Sequence, residues 1–169
     1  VLYKKEKDVI FEPYMKLVIF TPKNYVGPVM TVCEKKKGNL IDLTYQKENA
    51  ILKYEMPFSM FIRGLSGELK SISSGFASLD YELSDFKIAD VTNLEILING
   101  NSIDVLSELV YRDEVDFLAR EKTDKLKELL PKQQFRQIIQ ATTGGRIVAR
   151  SEISPFRKDV LSKMSGGDR

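Results

Sequence analysis

The chain has 169 residues, of which 43% are hydrophobic and 30% are charged, a composition ordinary for a globular protein. Its formal net charge is +2, and no stretch approaches the roughly 18 consecutive apolar residues that a membrane-spanning helix needs. It has no histidine and one cysteine, Cys33, which excludes serine–histidine and cysteine–histidine catalysis, histidine zinc sites and an internal disulfide.

The N-terminal segment VLYKKEKDVI has no initiator Met and no apolar core of a signal peptide. We therefore expect a fragment of a longer protein, with residues 1–10 left over from a preceding domain. The apolar run Lys16–Phe20 follows between Pro13 and Pro22. Its length and composition predict a strand.

The next segment has the start and stop signals of a helix. Thr21 offers an N-cap, Pro22 suits the first helical position and Gly38 ends the element, so residues 22–37 are predicted to be helical. Pro28 lies beyond the predicted first turn and is expected to bend the helix. The expected buried face consists of Val26, Val29, Met30 and Cys33.

Four further elements complete a first domain. Residues 40–45 and 50–55 are predicted strands joined by a polar turn, Pro57 starts a helix that reaches about Ser73, and residues 76–83 alternate as a last strand. The order strand–helix–strand–strand–helix–strand is the split βαβ pattern of a ferredoxin-like sandwich. The fold class is therefore α+β, with this domain at residues 11–86.

A polar joint at residues 85–90 precedes a second domain, at residues 94–169. Two strands are predicted around the Asn99–Gly100 turn, and a helix at residues 114–130 ends before Pro131. Its expected buried face consists of Val115, Leu118, Leu126, Leu129 and Leu130. Further predicted elements are strands at residues 135–141 and 146–153, and a helix from Pro155 to Gly166–Gly167. We expect a small sheet packed on the long helix.

Charge is segregated along the chain. Residues 132–169 hold eight Lys and Arg against three Asp and Glu, a net charge of +5, whereas the first 131 residues have a net charge of −3. Such segregation favours a polyanionic partner, although surface charge runs are usually only solvated. The candidate RNA-binding residues are Lys132, Arg136, Arg146, Arg150, Arg157, Lys158 and Lys163. Arg146 and Arg150, four residues apart on a strand, should share a face about 13 Å apart.

Other motifs have simpler explanations than a ligand site. Gly144–Gly145 suits a phosphate-binding nest, but a two-residue hairpin turn explains it as well. The segment SGFASLDY imitates an RNA-recognition signature without its stacking aromatic, so we favour a core strand with Phe76 or Leu79 turned inward. Neither a phosphate-binding GxxxxGK[ST] loop nor Asn-Lys-x-Asp is present. Four acids are interpreted as solvent-facing carboxylates rather than metal ligands: Asp80, Glu82, Asp85 and Asp90.

Several blocks resemble one known family. PKQQF, IIQATTGGRIVAR, RKDVLSKM and SGGD follow one another as they do at the C-terminal end of the translation factor LepA, also called elongation factor 4. Upstream, EPYMKLVIFTPKNYVGPVM, KSISSGFASLDYE and ILINGNSIDVLSELVYRD keep that family's order. The resemblance implies that residues 11–86 are like the fifth domain of elongation factor G, and that residues 94–169 form a family-specific domain.

The resemblance also implies a function. It points to a translational GTPase whose GTP and Mg²⁺ belong to another domain, so that this fragment has no cofactor, metal, nucleotide or catalytic site of its own. The implied partners are the ribosome, rRNA and tRNA, and the implied role is back-translocation or fidelity of protein synthesis. The resemblance implies a cytoplasmic monomer, and it allows peripheral association at the inner face of the cell membrane. The alternative is a protein-interaction module without direct RNA contact.

Overall fold

The structure is a computed structural model that describes residues 3–156. The chain divides into two compact units, with the boundary between Ala89 and Asp90. We call them the first unit and the second unit. Among the described residues, none of the helices combines the length and the hydrophobicity that a membrane span requires.

The first unit is built on an antiparallel sheet. Its strands are β1 (Lys4–Glu6), β2 (Val9–Pro22), β3 (Asn39–Gln46), β4 (Asn49–Pro57) and β5 (Ser78–Ile88). The long strand β2 pairs with β5 on one side and with β4 on the other, and β3 pairs with β4. This order, β5–β2–β4–β3, is that of a ferredoxin-like sheet, and the α+β fold class is confirmed.

The start of the chain belongs to this sheet. β1 pairs with the first residues of β2, Lys4 opposite Phe11 and Glu6 opposite Val9. The interpretation of residues 1–10 as the remainder of another domain therefore does not describe residues 4–10. β2 also continues through Pro13, because the β2–β5 register shifts between Pro13 and Met15 and such irregularities accommodate proline in a sheet.

The helices of the first unit start later, or are shorter, than the sequence predicts. The helix α1 (Val26–Lys35) follows a 3₁₀ turn at Lys23–Tyr25, so Pro28 lies in its first turn, where proline is tolerated, and not in its interior. The Thr21 hydroxyl donates to the Pro22 carbonyl instead of capping the helix. The single helix predicted after Pro57 is two, α2 (Phe58–Phe61) and α3 (Leu65–Ile72), because Gly64 has a φ of +79°.

The core of the first unit lies between the helices and one face of the sheet. Fully buried side chains come from β2, β4, α1 and α3, among them Leu17, Ile19, Val29, Cys33, Leu52, Tyr54 and Leu69. The predicted α1 residues Val26, Val29 and Cys33 are buried, and Met30 packs against them. β5 extends to Ile88 and takes in most of the predicted joint, because the long β2 offers Phe11, Glu12 and Pro13 as pairing partners.

The second unit is a sheet covered on one face by a helix. Its elements are β6 (Val91–Ile98), β7 (Asn101–Ser102), β8 (Glu108–Tyr111), α4 (Val115–Leu129), β9 (Gln137–Thr143) and β10 (Arg146–Ile153). The order is β10–β9–β6–β7, with β8 also paired to β6. The predicted second strand is interrupted by a 3₁₀ turn at Asp104–Leu106. The Asn99–Gly100 turn is confirmed, with φ of +52° and +82°.

The long helix α4 buries a narrower face than predicted. Val115 and Ala119 are buried in the core with Ile96, Ile139 and Ala141. Leu118, Leu126 and Leu130 pack against that core, but Leu129 is 69% exposed. β9 begins two residues later than predicted and leaves Phe135 exposed. The helix predicted from Pro155 lies, beyond Phe156, outside the described residues.

Candidate nucleic-acid interface

Four of the seven predicted RNA-binding residues fall in the described part of the chain. Lys132, Arg136, Arg146 and Arg150 are all exposed. Lys132 and Arg136 lie in the connection between α4 and β9, and the other two lie on β10. The remaining three, Arg157, Lys158 and Lys163, lie outside the described residues.

The β9–β10 hairpin determines where Arg146 lies. Gly144 and Gly145 form the turn with φ of +56° and +79°, the left-handed values that a tight two-residue hairpin turn requires at both positions. Arg146 is the first residue after the turn and pairs with Thr143. The hairpin interpretation of the two glycines is confirmed, and Arg146 lies at the tip of the hairpin.

A bulge in β10 separates Arg146 from Arg150. The register shifts between Ile147 and Ala149, so that Arg146 pairs with Thr143 but Arg150 pairs with Gln140. Directly paired residues lie on one face, and residues an odd number apart on a regular strand lie on opposite faces. Thr143 and Gln140 are three residues apart on β9. The prediction that Arg146 and Arg150 share a face is therefore wrong.

The two faces of this sheet differ in their surroundings. Ile139 and Ala141 of β9 point into the core beneath α4, so Arg146 lies on the helix side of the sheet, at its end. Arg150, paired with Gln140, lies on the opposite side, which we call the open face. None of the helices described for this unit packs on that face, since α4 covers the core side.

Arg136 and Arg150 share one counter-ion on the open face. Arg150 Nη2 lies 3.1 Å from Glu152 Oε2, and Arg136 Nη1 lies 3.5 Å from Glu152 Oε1. The side chains of Arg136, Arg150 and Glu152 are 58%, 46% and 37% exposed. Two guanidinium groups against one carboxylate leave a local charge of +1. Exposed ion pairs of this kind contribute little to stability, so both arginines can exchange partners at small cost.

Lys132 and Arg146 have no ion-pair partner among the described residues. The helix α4, by contrast, is electrically neutral, with four basic and four acidic residues, and its Lys122 is bound to Glu108 at 3.0 Å. Among the described residues of the second unit, the excess positive charge thus lies on the β9–β10 hairpin and on the connection from α4 to β9. Sequence reasoning missed Glu152, although its i+2 spacing from Arg150 on a strand already placed the two on one face.

The strand β5 and the residues that flank it contain the segment SGFASLDY and the four acids considered in the sequence analysis. Leu79 packs against the core as predicted, whereas Phe76 precedes the strand and is 68% exposed. Tyr81 is also exposed, and its ring contacts Phe61 with centroids 5.0 Å apart. The four acids considered as metal ligands are exposed, and Asp90 is bound to Arg112 at 3.0 Å.

Two protein-family models match adjacent parts of the chain. The model described as elongation factor G C-terminus matches residues 9–97, more than half of the chain, and the model described as GTP-binding protein LepA C-terminus matches residues 98–169. Their boundary falls at the end of β6, eight residues beyond the boundary between the two units. The chain belongs to the LepA and elongation factor G family of translational GTPases and carries C-terminal domains of that family.

Proposed function

We propose that this member of the LepA and elongation factor G family contacts RNA of the translating ribosome through the open face of its second unit. The observation that carries the proposal is the cluster of Arg136, Arg150 and Glu152, in which two exposed guanidinium groups share one carboxylate. A phosphate group that replaces Glu152 would receive charge-assisted hydrogen bonds from both arginines.

The cluster suits the RNA backbone better than it suits bases. The residues next to Arg150 on this face, Gln140, Ile138 and Ile147, carry no aromatic ring, and the exposed Phe135 precedes Arg136 in the connection to β9. Phosphate contacts position an RNA without reading its sequence. Double-stranded RNA is recognised mainly by its shape and its backbone. The proposed partner is therefore structured RNA, either rRNA or the stem of a tRNA.

Membership of the family supports a role for the whole protein in translation. The parent protein would bind GTP and Mg²⁺ in another domain and act in back-translocation or in the fidelity of protein synthesis in the cytoplasm, as a monomer. The first unit would lie near the factor-binding region of the large subunit. Peripheral association with the cell membrane has no support in the described residues.

Salt-dependent RNA binding tests the proposal. The affinity of the chain for a tRNA would be measured by fluorescence anisotropy across a salt series. Replacing both Arg136 and Arg150 with Ala should flatten the slope of log K against log salt by about 1.4–1.8 units, since each phosphate contact contributes about 0.7–0.9. The matched control replaces Lys125 and Lys127 with Ala, which removes two exposed cations from α4. Unchanged affinity and slope in the folded double variant would refute the proposal.

A protein-interaction module is the second candidate function, and one observation favours it. The edge strand β5 exposes a stripe of large apolar side chains on one face: Tyr81, Leu83, Phe86 and Ile88. These residues are between 42% and 67% exposed. Contiguous exposed apolar patches are typical of protein contacts. RNA affinity that is weak and insensitive to the arginine substitutions would favour this function.

A further inference from the structure

We infer that the first unit has a pocket for a single unstacked RNA base, at the corner of its sheet next to the β3–β4 turn. The cavity has a volume of about 370 Å³, within the roughly 300–1,000 Å³ that is usual for small-molecule sites. It is lined by Phe20, Thr21, Pro22, Gln46, Asn49, Ala50, Ile51 and Phe76. The inference takes RNA as the partner from the proposed function, but it concerns a different unit and a different chemistry.

Part of the pocket lining is apolar. Phe20 of β2 pairs with Ile51 of β4, so their side chains lie next to each other on the face of the sheet that α1 and α3 leave uncovered. Phe20 is 39% exposed, although a benzyl group of this size is usually buried. An exposed aromatic ring in the lining of a concave site favours a flat ligand with a π face.

Phe76 also lines the pocket, and hydrogen bonds fix the loop that carries it. Backbone hydrogen bonds join Gly75 N to Lys70 O at 2.7 Å and Phe76 N to Ser73 O at 3.0 Å. The Ser73 hydroxyl accepts a bond from Ala77 N at 2.9 Å. Tyr25 supports the Phe76 ring from one side, with centroids 6.5 Å apart and the planes 22° apart. Phe76 is nevertheless 68% exposed, so much of its ring is available for stacking.

Two amide side chains also line the pocket. Gln46 and Asn49 face each other across the β3–β4 turn and pair in register. Neither side chain has a hydrogen-bond partner among the described residues. Each carries both donors and an acceptor, the groups that Watson–Crick base edges recognise. The pocket thus combines rings for the face of a base with amides for its edge.

The rim is adapted to the sugar–phosphate chain of such a base. Lys23 follows the lining residue Pro22, and Lys47 and Glu48 lie in the turn between the two amides. Lys23 Nζ lies 3.4 Å from Glu48 Oε2, which leaves two cations against one carboxylate at the rim. A positive rim around an aromatic slot is the arrangement with which single-stranded nucleic acid is bound. An apolar peptide would use the apolar lining but would not need the cations.

The test compares two short RNA hairpins, identical except that one has a single unpaired nucleotide bulged from its stem. The intact chain should bind the bulged hairpin at least about fivefold more tightly, the smallest effect expected of one base stacked on an aromatic ring. Phe76→Leu keeps an apolar side chain but removes the ring, and should abolish the preference. Phe117→Leu, which alters a 69% exposed phenylalanine on α4, is the control and should keep it.

The amides give a second and independent test. With each of the four bases in turn at the bulge, Gln46→Ala and Asn49→Ala should reduce the differences among the bases, whereas Phe76→Leu should weaken binding of all four. Equal affinity for bulged and paired hairpins, or a folded Phe76→Leu chain that retains the preference, would overturn the inference. The two claims can fail separately. If the intact chain shows no preference for the bulged hairpin, but loses its RNA affinity when Arg136 and Arg150 are replaced, the base pocket is refuted and the proposed function is supported.

Discussion

Arg146 and Arg150 lie on opposite faces of β10, although they are four positions apart and a regular strand would place them on one face. The cause is the register shift between Ile147 and Ala149, which inserts one extra residue into the strand. One straight RNA backbone cannot meet both side chains from the same side. The second guanidinium group near Arg150 is that of Arg136, because both arginines form ion pairs with Glu152.

Arg136 and Arg150 should therefore act as one site and Arg146 as a separate one. We expect Arg136→Ala and Arg150→Ala to be non-additive in tRNA affinity, because both side chains share Glu152. Arg146→Ala and Arg150→Ala should add to within about 0.3–0.5 kcal/mol, as distant substitutions usually do. Anisotropy titrations of the single and double variants measure both coupling energies. A large coupling between Arg146 and Arg150 would contradict the assignment of faces.

Glu152→Gln should tighten RNA binding. The carboxylate competes with phosphate for both arginines, and its removal leaves two uncompensated guanidinium groups on the open face. The salt slope should become steeper by about one unit. Glu121→Gln, an exposed charge change on α4, is the control and should have a smaller effect. Weaker RNA binding by the Glu152 variant, with the fold intact, would show that the cluster is structural and does not bind RNA.

Gly38→Ala should destabilise the first unit. An added Cβ would lie 2.8 Å from the Cys33 carbonyl oxygen and 3.1 Å from Tyr54 Cδ1, both in the packed core. Overpacking of this kind typically costs about 1–3 kcal/mol. Gly67→Ala is the matched control, because Gly67 lies in α3 and nothing lies within 4 Å of a Cβ added there. That change should stabilise by up to about 1 kcal/mol. Urea unfolding measures both effects, and similar values for the two variants would contradict the structure.

Alkaline pH should destabilise the first unit through Cys33. Burial raises the pKa of its thiol from 9.0 to about 12, with a smaller effect of Glu34. The native state then keeps a proton that the unfolded state loses, so stability is constant below about pH 9 and falls between pH 9 and 12. Burial also raises the pKa of Tyr54 to about 12, in the same direction.

The measurement is the free energy of unfolding in urea as a function of pH, with Cys33→Ala as the comparison. The variant should lose part of the alkaline decline. Iodoacetamide should modify the wild-type thiol at neutral pH only when the chain is unfolded. Rapid modification of the native protein would contradict the burial of Cys33.

The isolated chain should not bind GTP. It has neither the glycine-rich loop that binds the phosphates of GTP nor the Asn-Lys-x-Asp motif that binds the guanine base. Isothermal titration calorimetry with GTP and Mg²⁺ should give only heats of dilution. Saturable binding at micromolar concentration would contradict this expectation.

The sequence by itself determined the elements whose signals are local. Asn99–Gly100 and Gly144–Gly145 marked their hairpin turns, because few residues other than glycine and asparagine adopt positive φ. The hydrophobic spacing of α4 and the order of the first six main elements were also predicted. The residue blocks identified the family without any coordinates.

Only the tertiary structure decided which side chains meet. No residue type marks the bulge between Ile147 and Ala149, because a bulge arises from the pairing of β10 with β9 rather than from either strand alone. The same holds for Glu152, placed between two arginines that are distant in sequence, and for the corner where Phe20 and Phe76 meet the β3–β4 turn. Strand register and loop placement are settled by non-local pairing and core packing, and a shift of one residue moves every side chain to the other face.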